Sequence, residues 1–337
     1  MLKREQFNYF STYFLGAEAE KRGVEVKKIF TKGSLAKQSY LLLKYKNHEE
    51  VIIGQRTKHT DCIGYFVSKN KQIAKYFFSR AGLSVAKGGI YHVDDIDEII
   101  EVANKIKYPV VVKPIAGIQG KKVFVGIDSD KKLKRILKDN FKGKVLLEKE
   151  YFGKEYRLFA TKDKFVAAIY RIPANVQGDG IHTIKGLIEI KNKDPRRGAG
   201  HKKSLVRINV DSVVKEHLKK QKLRLSSIPK KDEIIYLRVN SNLSTGGDSV
   251  DVTDVIHPEV KKLAVKVIKV IPGLAYGGID YLTKDVTVAP TSRNYIVIEV
   301  NDSPMLSMHH IPYSGKERDA AGAVIDQLFP ETKSKKQ

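Results

Sequence analysis

The fold of this chain is decided by the stretch Tyr295-Ile-Val-Ile-Glu-Val-Asn301, in which two oxygen-bearing side chains interrupt an apolar run. The run predicts the last strand of a sheet. Glu299 and Asn301 then point to the same side, because successive side chains of a strand alternate. Asp280, in Gly277-Gly278-Ile279-Asp280, ends another predicted strand. Three hard oxygen ligands on neighbouring strands suit Mg²⁺, whereas a structural role would leave the glutamate inside an apolar run unexplained.

A second pattern lies upstream, at residues 110–125. The strand Val110-Val-Val112 ends in Lys113-Pro114, the loop Ile115-Ala-Gly-Ile-Gln-Gly-Lys-Lys122 follows, and Val123-Phe-Val125 predicts a returning strand. Glycines let backbone amides approach phosphate oxygens, so this hairpin could cover a triphosphate. An ordinary basic hairpin tip explains the same residues equally well. The loop is not a Walker A loop, because no glycine-lysine-serine or glycine-lysine-threonine follows at the required spacing.

A third candidate is the connector Leu146-Leu-Glu-Lys-Glu-Tyr-Phe-Gly-Lys-Glu155, which follows an apolar strand. Its backbone edge could pair with an adenine, and Glu155 could accept hydrogen bonds from ribose hydroxyls. A solvated charged loop is the alternative interpretation of the same residues.

Three further loops combine arginine with glycine or amide side chains: Arg171-Ile-Pro-Ala-Asn175, Asp194-Pro-Arg-Arg-Gly-Ala-Gly-His201 and Arg238-Val-Asn-Ser-Asn242. Arginine recognises carboxylate or phosphate through two parallel hydrogen bonds. The histidines lack the spacing of zinc ligands, and no glycine-x-serine-x-glycine indicates a covalent hydrolase. The single cysteine, Cys62, excludes an internal disulfide framework, and we predict that it is a small buried apolar residue.

The composition is strongly basic, with 62 Lys and Arg against 38 Asp and Glu, a net charge of +24. This charge suits anionic partners such as nucleotides, polycarboxylates or nucleic acid. The lysines lack the aromatic interleaving of a single-strand-binding groove, so no specific nucleic-acid partner is expected. No run of 18 apolar residues and no apolar N-terminal stretch occurs, which predicts a cytoplasmic protein without a membrane partner.

Helical and strand patterns alternate along the chain, which indicates a mixed α/β (α+β) fold. The periodicity predicts helices at 9–21, 73–81, 96–106, 259–271 and 318–328, and strands at 24–29, 50–53, 110–112, 123–125, 145–147, 165–171 and 295–300. Four segments are expected: a reduced N-terminal lobe at 1–70, a small lobe with the glycine loop at 71–155, a large lobe at 156–330, and a disordered tail at 331–337.

Taken in order, these pieces resemble the ATP-grasp family from about Lys71 to Pro330. The resemblance is to the ATP-grasp region of the cyanophycin synthetases, and the end of the chain, Met308-His-His-Ile-Pro-Tyr-Ser-Gly315, is similar to the glutathione synthetase module of the bifunctional glutathione-making enzymes. The segments that carry it are Arg171-Ile-Pro-Ala-Asn-Val-Gln-Gly-Asp-Gly-Ile-His182, Lys193-Asp-Pro-Arg-Arg-Gly-Ala-Gly-His201, Asn242-Leu-Ser-Thr-Gly-Gly-Asp-Ser-Val-Asp-Val-Thr-Asp-Val-Ile-His-Pro258 and Glu299-Val-Asn301.

The resemblance implies an ATP-grasp fold, in which two α+β lobes clasp ATP and a small N-terminal α/β lobe precedes them. It assigns ATP phosphates to Lys71 and Lys113, with Gly117, Gln119, Gly120 and Lys121 in the lid. It assigns adenine to Glu148, Lys149 and Tyr151, and ribose to Glu155. Two Mg²⁺ ions, with Mn²⁺ as a substitute, would bind Asp280, Glu299 and Asn301. Arg171, Arg238 and Asn242 would steady phosphate or acyl phosphate during catalysis.

The implied activity is an ATP-dependent carboxylate–amine ligase that acts through an acyl phosphate on amino acids or a short peptide, as a homodimer. Expected substrate contacts are Arg196, Arg197, His201, Ser307, His309 and His310. The second, Mur-ligase-like ATP site and the large N-terminal domain of cyanophycin synthetases are not found in these residues, so a single-addition ligase is expected rather than a polymerase. A regulatory protein that binds nucleotide without turnover is the alternative, and a nucleic-acid-binding protein would rest on charge alone.

Overall fold

The computed structural model describes residues 2–7, 9–30, 39–115 and 122–333. The helices are α1 Phe10–Lys21, α2 Cys62–Lys69, α3 Lys71–Arg80, α4 Ile96–Ile106, α5 Asp130–Asn140, α6 Ile184–Asn192, α7 Ser212–Lys220, α8 Pro258–Val270, α9 Ser307–His310 and α10 Ala320–Leu328. The strands are β1 Glu25–Lys28, β2 Tyr40–Tyr45, β3 His48–Ile53, β4 Gly88–His92, β5 Val110–Pro114, β6 Phe124–Ile127, β7 Lys144–Lys149, β8 Lys154–Thr161, β9 Phe165–Ile172, β10 Asn175–Gln177, β11 Arg197–Gly198, β12 Leu205–Val206, β13 Ile234–Tyr236, β14 Asp248–Asp251, β15 Tyr276–Thr283 and β16 Tyr295–Asn301.

The largest sheet is antiparallel, with the strand order β14-β9-β8-β15-β16. Alternate residues of β8, namely Tyr156, Leu158 and Ala160, join a buried core with α3 and α8. Helix α8 begins after His257, whose ring accepts the Glu259 N–H, and its apolar positions recur at helical spacing on the buried face. One face of this sheet is therefore apolar, which leaves the other face free to carry polar side chains.

A four-stranded antiparallel sheet, in the order β4-β7-β5-β6, forms the smaller lobe with α4 and α5. Strands β5 and β6 pair as the predicted hairpin, with Val110 opposite Ile127 and Val112 opposite Phe124. The residues between them at 116–121, which include the predicted lid residues Gly117, Gln119, Gly120 and Lys121, lie outside the described residues.

The N-terminal region consists of α1 and the antiparallel sheet β1-β2-β3. It has no core separate from the rest of the described chain: Leu15 and Leu43 share one buried cluster with Phe159 of β8 and Val324 of α10. Residues 174–237 form a further unit, in which the antiparallel pair β10-β13 packs with α6 and α7 around its own apolar cluster. No helix in the described ranges is long and apolar enough to cross a membrane.

Most predicted elements are confirmed within one to three residues at each end, but the sequence pattern did not predict the helices α2, α5, α6, α7 and α9 or the strands β2, β4, β8 and β10 to β14. Asp280 does not end its strand, because β15 continues to Thr283. The prediction of a buried cysteine is wrong: Cys62 is exposed, since it is the first residue of α2 and the buried residues of that helix are Gly64, Val67 and Ser68. The first two residues of the predicted disordered tail at 331–337 are instead ordered, because they belong to the 3₁₀ turn Pro330–Thr332.

Helix α2 packs closely on the turn before β15, and this contact generates a test. A Cβ added at Gly64 would lie 2.3 Å from the carbonyl oxygen of Gly273, which is backbone and cannot rotate away. We expect Gly64→Ala to lower the free energy of unfolding by about 1–3 kcal/mol, the usual cost of overpacking, as measured by urea denaturation.

The matched control is Gly186→Ala in α6, where the new Cβ would find its nearest atom at 3.6 Å. This change should leave the free energy of unfolding unchanged or raise it by up to about 1 kcal/mol, because alanine has a higher helix propensity than glycine. Equal loss of stability in both variants would contradict the packing argument.

Candidate active site

A polar face covers the side of the five-stranded sheet opposite α8. Adjacent strands β9, β8, β15 and β16 each contribute to it, and direct cross-strand pairing places Glu155 opposite Arg171, Arg157 opposite Asp280, and Asp280 opposite Glu299. A cleft of about 510 Å³ lies against this face. Its lining includes Lys71, Lys113, Glu155, Arg171, Asp280, Glu299 and Asn301. The structure thus brings together the predicted phosphate-binding lysines and all three predicted metal ligands.

Asp280 is the most enclosed acid of the cleft. Arg157 Nε donates to its Oδ1 at 2.6 Å, and the Arg171 guanidinium donates to its Oδ2 at 3.1 Å. Burial opposes ionisation of the carboxyl, but the charges of Arg157 and Arg171 outweigh it and hold the pKa of Asp280 below its ordinary value. Asp280, a predicted metal ligand, is therefore ionised at neutral pH.

Arg171 links two acids of the cleft. Its guanidinium also donates to Glu155 Oε2 at 2.6 Å, and the Ser241 hydroxyl donates to the same oxygen. Burial lowers the pKa of Arg171, but the charges of Asp280 and Glu155 more than compensate and raise it. The predicted ribose acceptor Glu155 therefore lines the cleft, and it has hydrogen-bond partners inside the protein.

Lys71 begins α3, where the Asn70 side chain caps the helix by accepting the N–H groups of Gln72 and Ile73. Its ammonium group pairs with the Glu299 carboxylate. Asn301 lies two residues along β16 and donates at 3.5 Å to the other oxygen of Glu299. The prediction that Glu299 and Asn301 share one side of the strand is confirmed.

Lys113 at the end of β5 pairs with Glu148 of β7, and Lys75 of α3 donates to the same carboxylate at 2.8 Å. Burial opposes ionisation of Glu148, but the charges of Lys113 and Lys75 prevail and lower the pKa of its carboxyl. The side chain is 6% exposed, so it orients two lysines beside the cleft. Its backbone lies inside the sheet, opposite Gly88 on one side and Val111 on the other.

Apolar side chains form another wall of the cleft. Pro114, Val123 and Val125 come from the β5-β6 hairpin, and Ile298 comes from β16. Val123 and Val125 are 40% and 44% exposed, although β-branched apolar residues more often lie inside. This wall can hold a flat apolar ring such as a purine, and sequence reasoning did not identify it.

None of the predicted adenine contacts, Glu148, Lys149 and Tyr151, lines the cleft. The Lys149 ammonium donates to the carbonyl oxygens of Lys107 at 2.8 Å and Tyr108 at 2.9 Å. Tyr151 lines a separate cavity of about 190 Å³ beside Phe152 and Arg293. Their role as nucleotide contacts stays a prediction. In this structure Lys149 binds backbone carbonyls, and Tyr151 lines the separate cavity.

Of the predicted catalytic residues, only Arg171 lies in the cleft. Arg238 donates to Asp211 at 2.5 Å and is 7% exposed. Asn242 caps a 3₁₀ turn by accepting the Ser244 N–H at 2.9 Å. Val239 and Asn240, which stand between them, line the cleft instead, so this segment borders the site through residues that the sequence did not single out.

The predicted substrate arginines form a separate cluster. Arg196 binds its own loop, donating to Asp194 at 2.8 Å and to the Tyr313 carbonyl at 3.1 Å. Arg197 is 1% exposed and pairs with the buried Asp248. The structure does not bring either guanidinium into the cleft. His201 lies in a short 3₁₀ turn at 200–202.

Ser307, His309 and His310 lie in or beside the core rather than in the cleft. Burial, then the charge of Arg157, lowers the pKa of His309 to about 3, and its ring nitrogens find no hydrogen-bond partner among the described atoms. Burial lowers the pKa of His310 to about 4; the ring stacks on Phe14 and accepts the Ala321 N–H at 2.9 Å. Both rings are neutral at pH 7, so their structural role is packing.

Lys75 and Arg157 are charged residues beside the cleft that sequence reasoning also missed. Lys75 lies four residues after Lys71 and therefore shares its helix face, and Arg157 lies two residues after Glu155 on the same side of a strand. Both spacings were readable from the sequence, but their partners Glu148 and Asp280 are distant in the chain.

Within the described ranges, no group of three or more His, Cys, Asp or Glu side chains has a metal-binding arrangement. The predicted set instead combines the carboxylates of Asp280 and Glu299 with the amide of Asn301. Oxygen donors of this kind suit Mg²⁺, which keeps water and phosphate oxygens among its ligands. The donor chemistry and the shared face therefore fit the ion.

Comparison with known proteins gives consistent matches. The family described as carbamoyl-phosphate synthase L chain, ATP binding domain, matches residues 70–228. Cyanophycin synthetase of Crocosphaera subtropica is 37% identical over 325 residues, which cover 95% of this chain and 36% of the relative. The glutathione biosynthesis bifunctional protein GshAB of Pasteurella multocida is 35% identical over 300 residues, covering 87% of this chain and 39% of the relative.

A solved structure agrees with these matches. The crystal structure of a bifunctional glutathione synthetase from Pasteurella multocida superimposes with a TM-score of 0.75 at 32% identity, over 96% of this chain and 43% of that chain. The present chain thus spans less than half the length of these relatives.

The chain has the ATP-grasp fold, as predicted. Its two larger sheets enclose a cleft that is bounded by α3, the β5-β6 hairpin and the polar face, and the ATP-binding domain family matches part of this region. The chain carries an ATP-grasp domain, and over most of its length it is similar to the cyanophycin synthetases and to the bifunctional glutathione-synthesising enzymes. The resemblance seen in the sequence is confirmed.

The Lys75–Glu148–Lys113 cluster predicts a pH-dependent stability. Because the pKa of Glu148 is lowered from its ordinary value of 4.5, the stabilisation is complete above that pH and is lost as pH falls through the lowered value. We expect Glu148→Gln to lower the free energy of unfolding by about 3 kcal/mol at pH 7, since removing the carboxylate charge leaves the buried Lys75 unpaired. The difference from wild type should shrink below pH 4 in urea unfolding at several pH values.

The control is Glu259→Gln, which removes an exposed pair with Lys262. It should change stability little at any pH, because exposed pairs contribute little. A Glu148→Gln penalty that stays constant from pH 7 to pH 3 would show that the carboxylate charge is not the cause.

Proposed function

We propose that this chain is an ATP-dependent carboxylate–amine ligase. In the reaction, a substrate carboxylate attacks the γ-phosphorus of ATP, ADP leaves, and an acyl phosphate forms; an amine then attacks the acyl carbon and releases phosphate. The observation that supports this most strongly is the single cleft in which Lys71 and Lys113 meet Asp280, Glu299 and Asn301. The similarity to cyanophycin synthetase and to a bifunctional glutathione synthetase supports the same class of reaction.

The phosphate end of the nucleotide is assigned to the cationic side of the cleft. Lys113 is held at the end of β5 by Glu148, and Lys71 projects from the first turn of α3. Fixed cations that need no reorganisation during the reaction are effective at stabilising transferring phosphoryl groups. Lys75 acts through Glu148, which it holds from the side of α3.

Asp280, Glu299 and Asn301 would hold Mg²⁺, and two ions with Mn²⁺ as a substitute are part of the proposal. When bound, the metal would neutralise charge on the phosphate oxygens and align them for in-line attack. Arg157 and Arg171 keep Asp280 ionised and fixed in orientation. Such support of a ligand by its neighbours commonly decides how well a metal site works.

The acyl acceptor and donor are proposed to be amino acids or a short peptide. Two kinds of relative, named as cyanophycin synthetase and as glutathione biosynthesis bifunctional protein, support this class. Arg171 is the residue of the cleft that we assign to the acyl phosphate, because its guanidinium lines the cleft between Glu155 and Asp280. Closure of the hairpin would exclude water from the mixed anhydride.

The function is tested by phosphate release from ATP and Mg²⁺ with a library of amino acid pairs, and mass spectrometry of the product. We expect release only when both a carboxylate and an amine are supplied. Glu299→Gln should lower kcat by at least about 10²-fold, because even the partners of metal ligands contribute 10–100-fold.

The control is Glu317→Gln, an exposed acid away from the cleft, which should keep wild-type turnover. If nucleotide binds but no pair in the library releases phosphate, the chain would be a nucleotide-binding regulator and the ligase proposal would fail.

A further inference from the structure

The ion pairs around the cleft differ in their access to water. At Asp280, the acid is 9% exposed and its partners Arg157 and Arg171 are 10% and 12% exposed. At Glu299, both the acid and its partner Lys71 are 27% exposed. A buried pair costs much to separate, whereas a partly hydrated pair exchanges partners more easily. Of the two acids predicted to bind metal, Glu299 is thus the one that can change its cation.

Lys71 occupies the position beside Glu299 that a metal ion bound to this carboxylate would take. Its ammonium contacts Glu299 Oε2, while Asn301 donates to Oε1 of the same carboxylate. We infer that Lys71 is a resident counter-cation for Glu299, and that nucleotide binding transfers Lys71 from Glu299 to a phosphate oxygen and so opens Glu299 to the divalent cation. This inference rests on the proposed function for the place of nucleotide and metal.

The exchange makes the two ligands depend on each other. A divalent cation that arrives alone must displace Lys71, which then lies uncompensated beside the cationic side chains of Lys69 and Lys113 in the same cleft. A nucleotide that arrives with the cation supplies the anion that Lys71 needs. Metal and nucleotide should therefore raise each other's affinity by the same factor, since coupling between binding sites is reciprocal.

Lys69 offers a matched comparison in the same cleft. It is also a lysine at the cleft wall, but its ammonium lies 3.1 Å from the buried carboxylate of Asp302, which Arg56 also binds. Replacing Lys69 removes one positive charge from the cleft without freeing Glu299. Any effect confined to Lys71 therefore reports on the Lys71–Glu299 pair rather than on net charge.

The test is a Mn²⁺ titration followed by electron paramagnetic resonance, with and without the non-hydrolysable analogue AMPPNP, on wild type, Lys71→Met and Lys69→Met. For Lys71→Met we expect Mn²⁺ alone to bind about fivefold tighter than to wild type. The factor by which AMPPNP raises the affinity for Mn²⁺ should be about tenfold smaller in Lys71→Met than in wild type. Coupling factors between two sites are typically about 5–150-fold. Lys69→Met should keep most of the wild-type gain.

Two results would overturn the inference while leaving the proposed function in place. One is AMPPNP binding to wild type together with unchanged affinity of Lys71→Met for Mn²⁺ alone. The other is an equal effect in Lys71→Met and Lys69→Met, which would assign the effect to general cleft charge. Failure of wild type to bind AMPPNP with Mn²⁺ would instead overturn the proposed function itself.

Discussion

The site depends on one buried carboxylate. Asp280 lies at the middle of the polar face, and the guanidinium groups of Arg157 and Arg171 hold both of its oxygens. An unpaired buried charge is very costly, so the strands that carry these three residues must lie side by side in the observed register. That register also places Glu299 directly opposite Asp280. The constraint that satisfies one acid thereby aligns the other oxygen ligands of the cleft.

Helix α3 connects this face to the smaller lobe. Phe78 packs in the core below the large sheet, while Lys71 and Lys75, one turn apart, reach in two directions. Lys71 pairs with Glu299 of the large sheet, and Lys75 pairs with Glu148 of the four-stranded sheet. The helix thus joins the two charge clusters by which nucleotide and metal would be held. Both clusters therefore share one packed, capped helix as their support.

Much of the fold could be predicted because its elements carry local patterns. The helix α8 and the strands β5, β9 and β16 were visible in hydrophobic period and in flanking Pro or Gly. Strand β2 and helix α2 were missed because six and eight residues give too few repeats for a pattern to separate strand from helix. Cys62 was placed inside for a different reason: residue type indicates average burial, but the packed face of α2 decides it.

By itself, the sequence determined the ATP-grasp resemblance, the β5-β6 hairpin that carries Lys113, and the common side of Glu299 and Asn301. Each of these depends on residues that lie close together in the chain. Only the tertiary structure decided which charged side chains meet. It placed Asp280 between Arg157 and Arg171, Glu148 between Lys75 and Lys113, and Arg197 inside the protein against Asp248. These pairs join residues from about 35 to more than 120 positions apart, and a charge acquires its role from the partner that folding brings to it.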